Sequence, residues 1–176
     1  KGGWVYDGSG ADGREADVWI RDGEIAAVTP AGAAATPGDA EVVDCRGCAV
    51  APGFIDIHAH GETAALHHTL AQSRVAAGVT TEVCGNCGGS PFPLDEALRD
   101  KGQQLLTDVR VQIDWLDGPG YFARAERAGS SIHRAVLVGH GNLRAMTVGY
   151  DDRPATADEL DRMAQLLAQG LEAGAC

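Results

Sequence analysis

The sequence predicts an α/β fold in two parts: a small β-rich domain over residues 1–49, then an array of βα units over residues 50–176. Three observations carry this. The first 49 residues hold short β-branched and aromatic runs separated by turn residues. From Val50 onward, strand-like runs alternate with helical stretches, the pattern of right-handed βαβ units and a parallel sheet. The first of those runs ends in His58-Ala59-His60, two imidazoles at i, i+2 and therefore on one face of a strand.

In the first part, Trp4-Val5-Tyr6, Val18-Trp19-Ile20 and Ile25-Ala26-Ala27-Val28 read as strands. Asp22-Gly23 between the last two is a type I′ hairpin signal. Residues 31–39 form a Pro/Gly/Ala linker, and Glu41-Val42-Val43-Asp44 reads as another short strand. In the second part, residues 50–57 read as one buried strand, apolar except for Asp56. A helix is expected over 63–77, ended by Gly78, with His67 and His68 on its surface. Val79-Thr80-Thr81-Glu82-Val83-Cys84 is a second strand, and a helix is expected over 94–108. A shorter helix follows over 121–128. A third strand over 133–138 leads into Gly139-His140-Gly141, and His133 at its start is read as loop rather than as a ligand. Thr156 and Glu159 form a capping box ahead of Leu160, Met163, Ala164, Leu167 and Leu171 at helical spacing; Gly174 is placed as the C-cap. Ala175-Cys176 opens a fourth strand.

Composition narrows the classes of partner. Twenty-five acids against 14 bases, a net charge of -11, disfavour nucleic acid and anionic membranes. No apolar run approaches the roughly 18 residues of a membrane span. With no export signal in view, the expected compartment is the cytoplasm, where disulfides are rare. Cys45-x-x-Cys48 and Cys84-x-x-Cys87 have the spacing of a structural zinc site, but Cys84 falls inside a strand rather than a tight turn.

The ends of successive parallel strands share one rim, where α/β barrels place their chemistry. Those ends supply His58 and His60, then Cys84 and Cys87, then His140. His58, His60 and Cys87 are within reach of one metal site, and nitrogen with sulfur donors suits zinc. Zinc there lowers the pKa of a coordinated water and polarises a carbonyl. The reading is a partial TIM-type (β/α) metal-dependent hydrolase barrel comprising its first three βα units. A complete barrel takes ~250 residues, so the chain is expected to be part of a larger protein or to need a second chain.

Three segments carry a family resemblance. Pro52-Gly53-Phe54-Ile55-Asp56-Ile57-His58-Ala59-His60 resembles the first barrel strand of the amidohydrolase superfamily. Gly78-Val79-Thr80-Thr81-Glu82-Val83-Cys84-Gly85-Asn86-Cys87-Gly88 is similar to the G-V-T-T-x-V-x-G-N-C-G segment of D-aminoacylases (N-acyl-D-amino-acid deacylases), and Val138-Gly139-His140-Gly141-Asn142-Leu143-Arg144 to their V-G-H-x-x-L-R motif. The resemblance implies that His58, His60 and Cys87 ligate one or two zinc ions, Cys87 standing where other members carry a bridging carboxylated lysine. It also implies hydrolysis of N-acyl-D-amino acids to a carboxylate and a D-amino acid. Family members often have an aspartate where this chain has Glu62. The remaining metal histidines and the catalytic aspartate are expected beyond Cys176. His140, Arg144 and Glu62 are candidates for binding substrate or supporting the ligands; Arg144 suits either a bidentate grip on a substrate carboxylate or bracing of its loop. Two other functions are compatible with the sequence: a cyclic amidohydrolase of the dihydropyrimidinase or dihydroorotase type, and an inactive metal-binding fragment using the CxxC pairs. The oligomeric state is not read from the sequence.

Overall fold

Residues 1–106 and 110–176 are described by the computed structural model, and they fall into two units, Lys1–Pro52 and Gly53–Cys176. In the first unit, β1 (Gly3–Val5), β2 (Arg14–Arg21), β3 (Glu24–Pro30) and β4 (Ala49–Val50) form one sheet in the order β3-β2-β1-β4. The β2–β3 hairpin turns at Asp22 (φ 54°) and Gly23 (φ 80°), the two positive values that a type I′ turn requires. Asp17 is buried and accepts from the backbone N–H groups of Gly32 (3.0 Å) and Gly2 (2.8 Å), which hold its carboxyl below the usual range.

Two expectations for this region need correction. Residues 41–44 are not a strand: Val42 and Val43 are exposed, and the Val43 carbonyl accepts from the Lys1 amino group at 2.7 Å. The run over 50–57 is not one strand either. Pro52 lacks an N–H for a ladder and Gly53 favours a bend. Val50 therefore belongs to β4, parallel to β1, while Phe54–Asp56 forms β5 in another sheet.

In the second unit, β5 (Phe54–Asp56), β6 (Val79–Cys84) and β7 (His133–Val136) lie parallel in sequential order. Strand β6 covers the β-branched run between Gly78 and Gly85. The helix expected over 63–77 breaks into a 3-10 turn (Ala64–Leu66) and a short α1 (Gln72–Ala76). The weak helix formers His67, His68 and Thr69 lie between them, and Ala71 adopts φ 43°. Helix α2 (Glu96–Leu105) is capped by Asp95, whose carboxylate accepts from Leu98 N–H at 2.7 Å. Leu94 precedes the cap and is outside the helix, and residues 107 and 108 of the expected helix lie outside the described residues. Helix α3 (Gly118–Ala128) starts three residues earlier than expected, on the Asp117 cap with Pro119 in its first turn. His133 is the first residue of β7, not a loop residue. Helix α4 (His140–Thr147) was not expected, because two glycines open it. Cys176 donates its N–H to Val136 carbonyl (3.0 Å) without extending into a strand.

The largest cluster of buried side chains is Leu66, Phe92, Val111, Trp115, Tyr121 and Val136, which packs α3 and the loops against β7. A second cluster joins α4 to α5 (Ala157–Glu172) through Leu143, Val148, Met163 and Leu166. Helix α5 buries Met163, Leu166 and Gly170, while Leu160, Leu167 and Leu171 of the expected stripe stay largely open. Gly170 sets this face: a Cβ there would sit 2.6 Å from Val138 Cγ2. No helix among the described residues is long and apolar enough to cross a membrane.

The capping box of α5 forms as expected from Thr156 and Glu159. Arg153 first, then Thr156 N–H, hold the Glu159 carboxyl at about 2, against an ordinary 4.5. Since the folded pKa is the lower, the stabilisation is complete above about pH 4.5 and is lost as pH falls through about 2. Glu159→Gln is therefore expected to lower stability at pH 6, with the gap to wild type closing by pH 2. Urea titrations at stepped pH check this; a gap independent of pH contradicts it.

Candidate metal centre

The site lies where β5 and β6 run out into loops. His58 and His60 follow β5, and Cys87 follows β6. His58 Nε2 is 3.3 Å from Cys87 Sγ, and His60 Nε2 is 3.6 Å from it. The two imidazole centroids are 5.4 Å apart with planes at 66°, so the rings converge without stacking. All three side chains are exposed, and their ligand atoms lie within 4.8 Å of one another. Among the described residues they are the only such group of three or more His, Cys, Asp or Glu. The CxxC cysteines Cys45 and Cys48 enter no group of this kind.

The Gly85-Asn86-Cys87-Gly88 loop is shaped by backbone conformation. Gly85 (φ 85°), Cys87 (φ 57°) and Gly88 (φ 83°) are all left-handed. A cysteine there costs roughly 1–3 kcal/mol and persists only where the surroundings over-determine it. Here they do. A Cβ on Gly85 would collide with the Leu137 carbonyl. Glu62 Oε1 accepts from Gly85 N–H at 2.5 Å. Asn86 Nδ2 donates to the carbonyls of Ala59 (3.1 Å) and Val83 (2.8 Å), tying the histidine segment to the end of β6, and Ala59 N–H adds a bond to Val83 carbonyl. Behind the loop, Gly139 and Gly141 approach the Gly88 carbonyl so closely that a Cβ on either would lie 2.5 or 2.6 Å from it. Asn142 Nδ2 then bonds the carbonyls of Ser90 (2.8 Å) and Pro93 (3.1 Å).

A line of charges supports the histidines from below. Asp56, Glu82 and Arg134 are register neighbours across the three strands. Arg134 Nε meets Glu82 Oε1 at 2.7 Å, Arg74 Nε meets Glu82 Oε2 at 3.2 Å, and Arg74 Nη1 reaches Asp56 Oδ2 at 3.3 Å. Asp56 Oδ1 in turn accepts from His58 N–H at 3.1 Å. The Glu82 side chain is 2% exposed, so the two arginines are what make its charge tolerable.

The two cysteines of β6 and its loop differ sharply. Cys84 is buried, and its thiol is pushed up to about 12, first by desolvation, so it stays protonated at neutral pH. Cys87 is open to solvent and to both imidazoles. Glu62, besides holding Gly85, accepts on its backbone carbonyl from the Tyr121 hydroxyl at 3.1 Å. His140 is exposed at the first position of α4 and is not among the three clustered side chains. Arg144 Nη2 donates to the carbonyls of Asp151 (2.7 Å) and Arg153 (2.8 Å), the loop-bracing arrangement. Sequence reasoning missed Asn86, Asn142 and Arg74. Only Asn86 carried a signal, as the residue between Gly85 and Cys87.

The donor set fits a zinc ion. Ligands of a tetrahedral zinc at about 2.0–2.3 Å are themselves roughly 3.3–3.8 Å apart, and the two sulfur–nitrogen distances fall in that range.

The matching family model is the amidohydrolase family, over residues 41–175, and the chain belongs to that family. Within it, the chain is 38% identical over 177 residues to the N-acyl-D-glutamate deacylase of Alcaligenes xylosoxydans xylosoxydans, covering 99% of this chain and 35% of that protein. A solved D-aminoacylase, described for its binuclear metal centre, superposes with a TM-score of 0.84 at 36% identity, over 99% of this chain and 36% of the other. The N-acyl-D-glutamate deacylase of Bordetella bronchiseptica, solved with zinc and a phosphonate mimic of the tetrahedral intermediate, superposes at 0.75 with 35% identity and the same coverage. The chain thus spans about a third of the length of the relatives it matches.

Proposed function

We propose that the protein is a zinc-dependent deacylase, hydrolysing the amide of an N-acyl-D-amino acid to a carboxylate and a free D-amino acid. The convergence of His58, His60 and Cys87 on one point, at the end of a Gly-Asn-Cys-Gly loop, carries the reading. The relatives named as D-acyl deacylases support its substrate class. In this reading β5, β6 and β7 are the first three strands of a (β/α) barrel, and the site lies at their carboxyl ends.

His58, His60 and Cys87 would hold the ion, which when bound supplies Lewis acidity toward a carbonyl and acidifies water. The chain's own residues do the rest of the positioning. Asn86 and Glu62 hold the cysteine loop in its left-handed turn. Asp56 orients the backbone of His58, with Arg74 and Glu82 behind it.

The test is a substrate panel on the full-length, zinc-loaded protein. Hydrolysis of N-acyl-D-amino acids with at least tenfold preference over their L-enantiomers is expected. Ring opening of dihydropyrimidines or dihydroorotate without D-acyl cleavage would replace this function with the cyclic one.

A further inference from the structure

We infer that the cavity beside the candidate metal centre receives the acyl half of the substrate, and that it suits an unbranched apolar acyl chain of several carbons. This rests on the deacylase reading and names the substrate class of that same site. The cavity has a volume of about 280 Å³. His60 forms part of its wall, so it adjoins the metal-ligand cluster. Its far side is hydrocarbon: Leu94, Leu98, Leu106, Ile113 and Trp115.

Charge decides which half of the substrate enters. An N-acyl amino acid has an anionic half bearing the carboxylate and a neutral acyl half. Among the described residues the cavity lining contains no lysine or arginine, and it does contain Glu62. A carboxylate placed there would meet like charge and no cation. The neutral acyl group pays neither penalty, and burying each methylene there is favourable.

The walls are held in place without a ligand. Trp115 Nε1 donates to Pro91 carbonyl at 2.8 Å, which satisfies the indole N–H and leaves ring carbon to face the cavity. Gln103 ties α2 to the opposite wall: its Nε2 donates to Val111 carbonyl (3.1 Å) and its Oε1 accepts from Ile113 N–H (2.8 Å). Leu94 N–H bonds Leu116 carbonyl at 2.7 Å. Such a pre-formed apolar pocket does not have to order itself on binding. Its volume is that of several methylene-sized groups, taking roughly 30 Å³ for a water-sized one, so acetyl alone would leave it largely empty. Gly102 lines it from α2, and the nearest atom to a Cβ there is the flexible Ile113 Cδ1 at 3.3 Å. A larger side chain at 102 would fill the space, in a helix interior where most residues outrank glycine.

The experiment compares N-acetyl-, N-butanoyl- and N-hexanoyl-D-amino acids on the full-length, zinc-loaded protein, wild type and Gly102→Leu, with Leu98→Trp as a second variant. Wild-type kcat/KM should rise about fourfold per added methylene, which is about 0.8 kcal/mol at 1.4 kcal/mol per tenfold. In either variant, the ratio of hexanoyl to acetyl kcat/KM should fall at least tenfold relative to wild type. Calorimetric titration with acetate, butanoate and hexanoate gives a readout without turnover: affinity should grow with length in wild type and not in the variants. Rates and affinities independent of acyl length, or variants that instead change discrimination among D-side chains, overturn the inference. Absence of any D-acyl hydrolysis with length-dependent carboxylate binding retained would sink the deacylase reading and leave the cavity assignment standing.

Discussion

Cys87→Ala in the full-length protein is expected to cost more than about 100-fold in zinc affinity and to remove amide hydrolysis. Loss of a group that merely orients a ligand costs 10- to 100-fold, and Cys87 is the only sulfur grouped with both imidazoles among the described residues, at 3.3 and 3.6 Å. It is also the donor that brings negative charge to the cluster when deprotonated. Cys84→Ala is the matched control. The Cys84 thiol is buried and held protonated, so its removal should cost stability but leave the zinc stoichiometry unchanged. Metal analysis after dialysis against a competing chelator, alongside turnover, reads both variants. Full zinc retention by Cys87→Ala would contradict the ligand assignment.

Glu82→Gln is expected to destabilise the second unit by about 3 kcal/mol, at the lower end of the cost of breaking a buried ion pair. The lower end applies because Arg74 is 40% exposed and can be rehydrated, whereas Arg134 at 14% is left facing an uncharged amide. The substitution keeps the volume and removes only the charge. Because Arg74 also reaches Asp56, which accepts from His58 N–H, zinc affinity should fall as well, by about tenfold. Denaturant titration and zinc competition measure the two effects. An unchanged unfolding midpoint would mean that the charge line carries no net stabilisation.

What the sequence revealed depended on how local the determinant was. The strand over Val79–Cys84 is a β-branched run between two glycines, and the hairpin turn and the α5 capping box are short patterns; each could be read from a handful of neighbours. The break between β4 and β5 was written in Pro52-Gly53, but the apolar continuity on either side outweighed it. Helix α4 and the splitting of the 63–77 segment depend on tertiary contacts and on the left-handed Ala71, which no local preference announces. At the site, the i, i+2 spacing of the histidines and the Gly-Asn-Cys-Gly loop pointed to the side chains that the structure brings together. Their supports were hidden, because those bonds cross long separations: Asn86 to Ala59, Asn142 to Ser90, Arg134 to Glu82.

The central claim is that one zinc ion sits among His58, His60 and Cys87. X-ray absorption at the zinc edge of the full-length protein loaded with one equivalent tests it most directly. The account predicts a single sulfur at about 2.3 Å with nitrogen or oxygen donors at about 2.0–2.1 Å, and loss of the sulfur shell in Cys87→Ala. Two or more sulfurs, or a sulfur that survives that substitution, would place the metal elsewhere and contradict the account.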